Sequence, residues 1–180
     1  WCVPLWVRAR FPQATGPITV HRLDMDTSGL LVVALDAEAQ RDLSGQFERR
    51  EVDKRYVGVV EGHVAAERGT LDAPMRLDPD RRPYQVVDPV HGRPAVTDFR
   101  VLAYECDRTR LELTPRTGRT HQLRVHCAHA GPGGLGRPIV GDVLYGDATG
   151  AERLLLHARW LCLTDPDTRR RVELEAPCPF

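Results

Sequence analysis

No apolar run in this chain exceeds six residues. The longest, Leu30-Leu-Val-Val-Ala-Leu35, has the length of a buried strand and falls far short of the roughly 20 residues that cross a bilayer. The core must therefore be assembled from many short segments, with turn residues setting where each one ends. Ile18-Thr-Val20 and Leu30 to Leu35 read as strands flanking a polar loop that ends at Gly29. A helix pattern follows: Asp36 is the N-cap, Ala37, Glu38 and Ala39 favour helix, Leu43 and Phe47 lie four apart on one face, and the helix runs to Arg50. Tyr56 to Val60 is strand, closed by Gly62. Glu67 to Gly92, rich in Asp, Pro and Arg, reads as irregular hairpins with β segments at Thr70 to Ala73 and Gln85 to Val87. Ala95 to Tyr104 and Arg110 to Leu113 alternate apolar and polar residues, which predicts an antiparallel pair turning at Cys106 to Thr109. Thr120 to Ala130 is predicted helix, stopped by Gly131-Pro-Gly-Gly134, and Leu154 to Leu163 and Arg170 to Leu174 are late strands joined at Asp165-Pro-Asp167. Strands dominate and helices interrupt them without βαβ alternation. The predicted class is α+β, a mixed, largely antiparallel β-sheet with flanking helices and loops.

With 180 residues, 42% of them hydrophobic, the chain is sized for one domain over residues 1–180 that buries roughly 70% of its unfolded surface without a staple. Basic and acidic residues number 25 each, so net charge argues neither for nor against a nucleic-acid partner. Only Lys54 is a lysine, leaving 24 arginines, whose guanidinium forks suit phosphate and stack on bases. Five cysteines without a C-x-x-C pair argue against a disulfide framework and for a reducing, cytoplasmic compartment. A start at Trp1 without methionine reads as a piece of a longer protein.

Two segments carry chemistry. His21-Arg-Leu-Asp-Met-Asp-Thr-Ser-Gly29 packs an imidazole, a guanidinium and two carboxylates into one loop between apolar strands. Taken alone it fits an Asp/Ser/Gly turn with His21 and Arg22 at its edge. Asp26-Thr-Ser-Gly29 also resembles the Asp-Thr-Gly loop of aspartic proteases, which need two such carboxylates sharing a proton; with one copy, and Thr-Ser-Gly in place of Thr-Gly, this would require a symmetric dimer. The other segment, Thr114-Pro-Arg-Thr-Gly-Arg-Thr-His-Gln-Leu-Arg-Val-His126, brings Arg116, Arg119 and Arg124 to a turn at a predicted helix start, which fits a phosphate site or a solvated turn. His121, Cys127 and His129 do not share a helix face, which argues against metal. Arg49-Arg50, Lys54-Arg55 and Arg169 to Arg171 are basic clusters, each with acidic neighbours.

Taken together, four segments resemble the RluA-type RNA pseudouridine synthases: His21 to Leu31, Lys54-Arg-Tyr-Val-Gly-Val-Val-Glu-Gly62, Gly118-Arg-Thr-His-Gln-Leu-Arg-Val-His126 and Leu154-Leu-Leu-His-Ala158. They occur in the family's order and at its spacing. Met25 to Gly29, Asp80 to Val86 and Gly92 to Thr97 look most like the branch that modifies both large-subunit ribosomal RNA and tRNA. Two departures stand out. Family members carry an earlier strand with a Lys-Pro-x-Gly motif ahead of a helix matching Trp1 to Phe11, and Ala130 to Arg137 is longer and richer in glycine than usual. The resemblance implies the pseudouridine synthase catalytic fold and an isomerisation that needs no cofactor and no metal: the uracil N-glycosidic bond breaks, the base turns, and a C–C bond forms. It implies Asp24 as nucleophile or base at the sugar, Arg124 as its ion-pair partner, Tyr56 as the aromatic stacked on the target base, and Leu156 as an apolar wall. Arg22 would fill the gap left by the extruded nucleotide. His21, Arg116 and Arg119 join Arg22 and Leu156 as expected substrate contacts. The expected partner is an rRNA or tRNA stem-loop, with no membrane association and a monomeric enzyme. The alternative is a catalytically inactive RNA-binding module.

Overall fold

The computed structural model describes residues 3–147 and 150–180. Its elements are α1 (Val3–Arg10), β1 (Ser28–Gly29), α2 (Ala37–Glu48), β2 (Asp53–Glu61), β3 (Arg68–Asp72), β4 (Met75–Leu77), β5 (Gln85–Val87), β6 (Val96–Glu105), β7 (Arg108–Pro115), α3 (Gln122–Ala128), β8 (Leu156–Thr164) and β9 (Arg171–Glu175). The helix matched to Trp1–Phe11 is present as α1; Trp1 and Cys2 lie outside the described residues. One seven-stranded sheet runs in the order β1-β8-β2-β7-β6-β3, with β9 beside the second half of β8, and β4 and β5 make a separate hairpin. Only β1 and β8 pair in parallel; every other ladder is antiparallel, as the predicted class requires.

A register shift decides what this sheet can bury. Arg55 pairs with Trp160 and Tyr56 with Ala158, so Arg159 is an extra residue on β8. Without it, strict alternation would put Leu156 and Leu161 on opposite faces. With it, Leu156, Ala158 and Leu161 stand on one face, opposite Gly58, Tyr56 and Lys54 of β2. β7 supplies Leu111 and Leu113 to the same face, opposite Gly58 and Tyr56. Two helices cover it. Helix α2 buries Leu43 against Val52, Leu161 and Leu163, and its buried Gln46 both donates to and accepts from the Thr164 backbone at 2.7 and 2.9 Å. Asp36 caps it, accepting the amides of Glu38 and Ala39 at 2.9 and 2.8 Å. Helix α3 inserts Leu123 and Cys127 into the larger cluster with Val60, Phe99, Leu111, Leu113, Leu154 and Leu156. It is buried on all sides, with Val125 packing against Met75 and Ala95.

Three expectations need correction. The runs Ile18 to Val20 and Leu30 to Leu35 meet through the single bridge Thr19–Val33 rather than as strands; the Val32 amide goes to His21 Nε2 at 2.9 Å instead of a ladder. Helix α3 begins at Gln122, not Thr120, because His121 sits in the left-handed region at φ 54° and the chain cannot enter a right-handed helix before it. It ends at Ala128, since His129 is already extended.

Candidate active site

The polar loop of residues 21–29 is tied to the sheet at both ends. On its return Ser28 and Gly29 pair with His157 and Ala158, and the Leu30 amide donates to the Ala158 carbonyl at 2.9 Å. Gly29 has φ 109°, and a Cβ there would lie 2.3 Å from the Ala158 oxygen, so only glycine lets the loop come this close to β8. Ser28 Oγ lies 2.9 Å from His157 Nδ1. At the entrance the His21 ring stacks on Phe47 of α2 with centroids 4.2 Å apart. Burial, with the Lys54 charge adding to it, pulls the His21 pKa down to about 4, so the ring is neutral and its Nε2 is free to accept the Val32 amide. His21 thus holds the loop as well as lining the cleft. Between these anchors the Thr27 amide closes a turn on the Asp24 carbonyl at 3.0 Å. Met25 and Asp26 project into solvent, whereas Asp24 is half-buried.

Asp24 faces a cleft of about 270 Å³ between α2 and α3, floored by the sheet. His21, Arg22, Asp24, Tyr56, Arg119 and Leu156, six of the eight residues singled out from the sequence, line it. Lys54, Phe47 and the 117–120 turn complete it. Burial, reinforced by the Asp24 charge, pushes the Tyr56 phenol up to about 12, so its hydroxyl keeps its proton at neutral pH. Leu156 is buried on the floor beside it. The orphan hydroxyl of the site is Thr27 Oγ1, which also lines the cleft and is the buried side-chain polar atom without a hydrogen-bond partner among the described residues. Asp26 lines neither this cleft nor the apolar groove on the loop's other side. The carboxylate of the cleft is thus Asp24, and no proton-sharing pair of carboxylates is assembled within this one chain. The arrangement offers one carboxylate, one protonated phenol and an apolar floor beneath a rim of cations. That set can attack or deprotonate a sugar and hold a flat base.

The three arginines of the 116–124 segment do not converge. Arg116 pairs with Asp98 at 2.5 Å and lines a neighbouring cleft. Arg119 donates from Nε to the Pro94 carbonyl at 3.1 Å. Arg124 is buried inside α3 and grips Asp142 with both arms, Nε to Oδ2 at 2.8 Å and Nη2 to Oδ1 at 2.6 Å. Asp24 has no ion pair within 4 Å among the described residues, so the expected Arg124–Asp24 pair is corrected: the fork belongs to Asp142. Burial works against the Arg124 charge, but the Asp142 hydrogen bonds and the charges of Asp142 and Asp24 lift its pKa above the ordinary arginine value. Arg124 is thus within electrostatic reach of Asp24 without touching it.

Asp142 was not singled out from the sequence, and it is the node behind the cleft. Its Oδ1 also accepts the amides of Leu144 and Tyr145 at 2.9 and 3.0 Å, shaping the turn that presents Tyr145. The Tyr145 hydroxyl accepts the Gln85 amide at 2.8 Å and lies 2.7 Å from His121 Nδ1, and its ring packs under the Arg124 guanidinium. In the sequence Lys54 belongs to a basic cluster with acidic neighbours. With β2 beginning at Asp53, its place two residues before Tyr56 puts it on the cleft face.

Residues 7–129 match the family model described as RNA pseudouridylate synthase. The chain is 43% identical over 178 residues to the dual-specificity RNA pseudouridine synthase RluA of Escherichia coli K12, covering 97% of this chain and 78% of that protein. It is 44% identical to the protein of the same name from Yersinia pestis, covering 82% of it. Among solved structures, human RNA pseudouridylate synthase domain containing 1 superposes with a TM-score of 0.80 at 36% identity, over 97% of this chain and 73% of that one. Human RNA pseudouridylate synthase domain containing 4 does so with 0.76 at 26% identity. On the match of sequence and fold together, the chain belongs to the RNA pseudouridylate synthase family.

Proposed function

We propose that residues 1–180 form one catalytic domain that isomerises uridine to pseudouridine in stem-loops of large-subunit rRNA and tRNA, acting as a monomer in the cytoplasm. The observation that carries this reading is the placement of Asp24 and the Tyr56 hydroxyl in one cleft above Leu156, in a chain of this family. The target base enters with one face on the Tyr56 ring and its edge against Leu156. Asp24, which has no ion pair within 4 Å among the described residues, acts at the ribose as nucleophile or as base. The C1′–N1 bond breaks, the base turns within the cleft, C1′–C5 forms, the proton leaves C5 and N1 takes one up, so product and substrate are isomers and no electrons are exchanged. The Tyr56 hydroxyl, protonated at neutral pH, is placed to relay that proton. Arg22, exposed at the rim, fills the space left by the flipped nucleotide. Arg124, held by Asp142, acts as a positioning residue through the field it adds at Asp24.

Because C5 loses its hydrogen, an RNA tritiated at C5 of uridine releases label into water on turnover. The wild-type protein releases it; Asp24→Asn does not, at unchanged RNA affinity and thermal stability, and Asp26→Asn retains measurable release. Binding without release by the wild type would establish the inactive RNA-binding module instead, and wild-type release by Asp24→Asn would remove the site assignment.

A further inference from the structure

A second cleft, of about 330 Å³, adjoins the first, and the two share Phe47, Lys54, Pro115, Thr117, Gly118 and Arg119. They are one trough with a waist, Lys54 of β2 on one wall and the 117–119 turn on the other. Arg50 and Arg116 line its far end, with Glu48 and Asp53. The ion pairs around it are uneven. Arg49 is closed by Glu51, Arg116 by Asp98, and Arg171 by Asp53. Lys54, Arg50 and Arg119 have no ion pair within 4 Å among the described residues. Lys54 is the extreme case. Its ammonium sits 5.6 Å from the Phe47 ring centroid, and burial lowers its pKa with no carboxylate offsetting the loss of water. A half-buried cation without a counter-charge is poorly compensated, and the chain keeps its single lysine at that spot. The missing counter-charge is what a nucleic-acid strand supplies. A base seated in the first cleft leaves its backbone at the rim, and the trough continues past the waist. An ammonium, with three donors and a compact charge, meets a phosphodiester from any direction.

Resting on the reading that the first cleft takes the target base, we infer that Lys54, with Arg119 across the waist, forms a subsite for one phosphodiester flanking the target uridine, and that the strand leaves through the second cleft past Arg50. The subsite fixes the register of the strand, so that the nucleotide beside this phosphate is the one delivered to Asp24.

The test uses stem-loop RNAs carrying a neutral methylphosphonate at either the 5′ or the 3′ phosphate of the target uridine, bound to wild type, Lys54→Gln, Lys54→Met and Lys54→Arg. Lys54→Gln should bind unmodified RNA about tenfold or more weakly and flatten the dependence of log affinity on log salt by about 0.7, the share of one single-strand phosphate. Wild type should suffer a similar loss from one of the two methylphosphonates, to which Lys54→Gln and Lys54→Met are indifferent. Lys54→Arg should restore the salt slope. A purely packing role against Phe47 would change melting temperature without touching slope or methylphosphonate sensitivity. An unchanged slope in Lys54→Gln, or equal sensitivity to both methylphosphonates in all four proteins, overturns the subsite. Tritium release by the wild type is read in parallel: release with an unchanged Lys54→Gln slope removes this inference alone, whereas neither release nor binding removes the functional reading with it.

Discussion

Single side chains in this protein are assigned their work by what surrounds them. Asp24 and Asp26 are the same group two residues apart, yet one faces the cleft and the other solvent. His21 lines the cleft next to Asp24, and its low pKa makes it a source of acid sensitivity for the fold. An unfolded His21 takes up a proton as pH falls through 6.5, while the folded ring, with its pKa at about 4, resists until that point. The sign is therefore fixed: the contribution is full above pH 6.5 and is lost progressively down to pH 4, amounting to about 3 kcal/mol at most. His121, His126 and His157 are lowered by burial too and steepen the same slope. Unfolding free energies measured across this window should fall with acid, and His21→Gln, whose amide oxygen can still accept the Val32 N–H, should flatten the fall. Identical slopes in the two proteins would show that His21 titrates normally in the fold.

At the scale of elements, helix α3 matters more for what it buries than for its ends. Seven residues long, it carries a guanidinium into the core, and Asp142 follows 18 residues after Arg124 to meet it. Both side chains are almost fully shielded, at 2% and 0% exposure. Removing one partner leaves the other charged and dry, so Arg124→Ala should lower stability in chemical denaturation by about 3–5 kcal/mol. Asp142→Asn should also destabilise, and in addition loosen the 142–145 turn, because Asp142 Oδ1 caps it. A loss below about 1 kcal/mol for Arg124→Ala would contradict the buried geometry. The consequence for function is direct: a rate lost on changing Arg124 has to be compared with the stability lost, whereas Asp24→Asn breaks no ion pair and reports on chemistry.

Across the whole molecule 25 basic residues balance 25 acidic ones, but the balance is not local. Arg49, Arg100, Arg159 and Arg169 are closed by carboxylates, whereas among the described residues Arg22, Lys54 and Arg119 line the trough without an ion pair; arginines elsewhere, such as Arg41 and Arg68, also have none. RNA affinity should therefore fall with salt despite zero net charge, with a slope of about 0.7 to 0.9 per phosphate engaged. Titrations of a stem-loop at several salt concentrations measure it. A flat response would mean that this face does not bind the backbone.

Much of this was legible in the chain itself. Short apolar runs and turn residues specify an antiparallel α+β sheet because alternation and turn chemistry are local properties. The loop of Asp24, the strand of Tyr56 and the helix capped by Asp36 could be placed for the same reason. Tertiary structure decided the rest. Which carboxylate faces the cleft depends on Gly29 touching β8, and which cations are free depends on where distant carboxylates land. The bulge at Arg159, which puts Leu156 and Leu161 on one face, is a matter of register between strands about a hundred residues apart in sequence. Arg124 was expected to serve Asp24 and instead is claimed by Asp142, since a charged group pairs with whatever partner the fold buries beside it, and no local pattern names that partner.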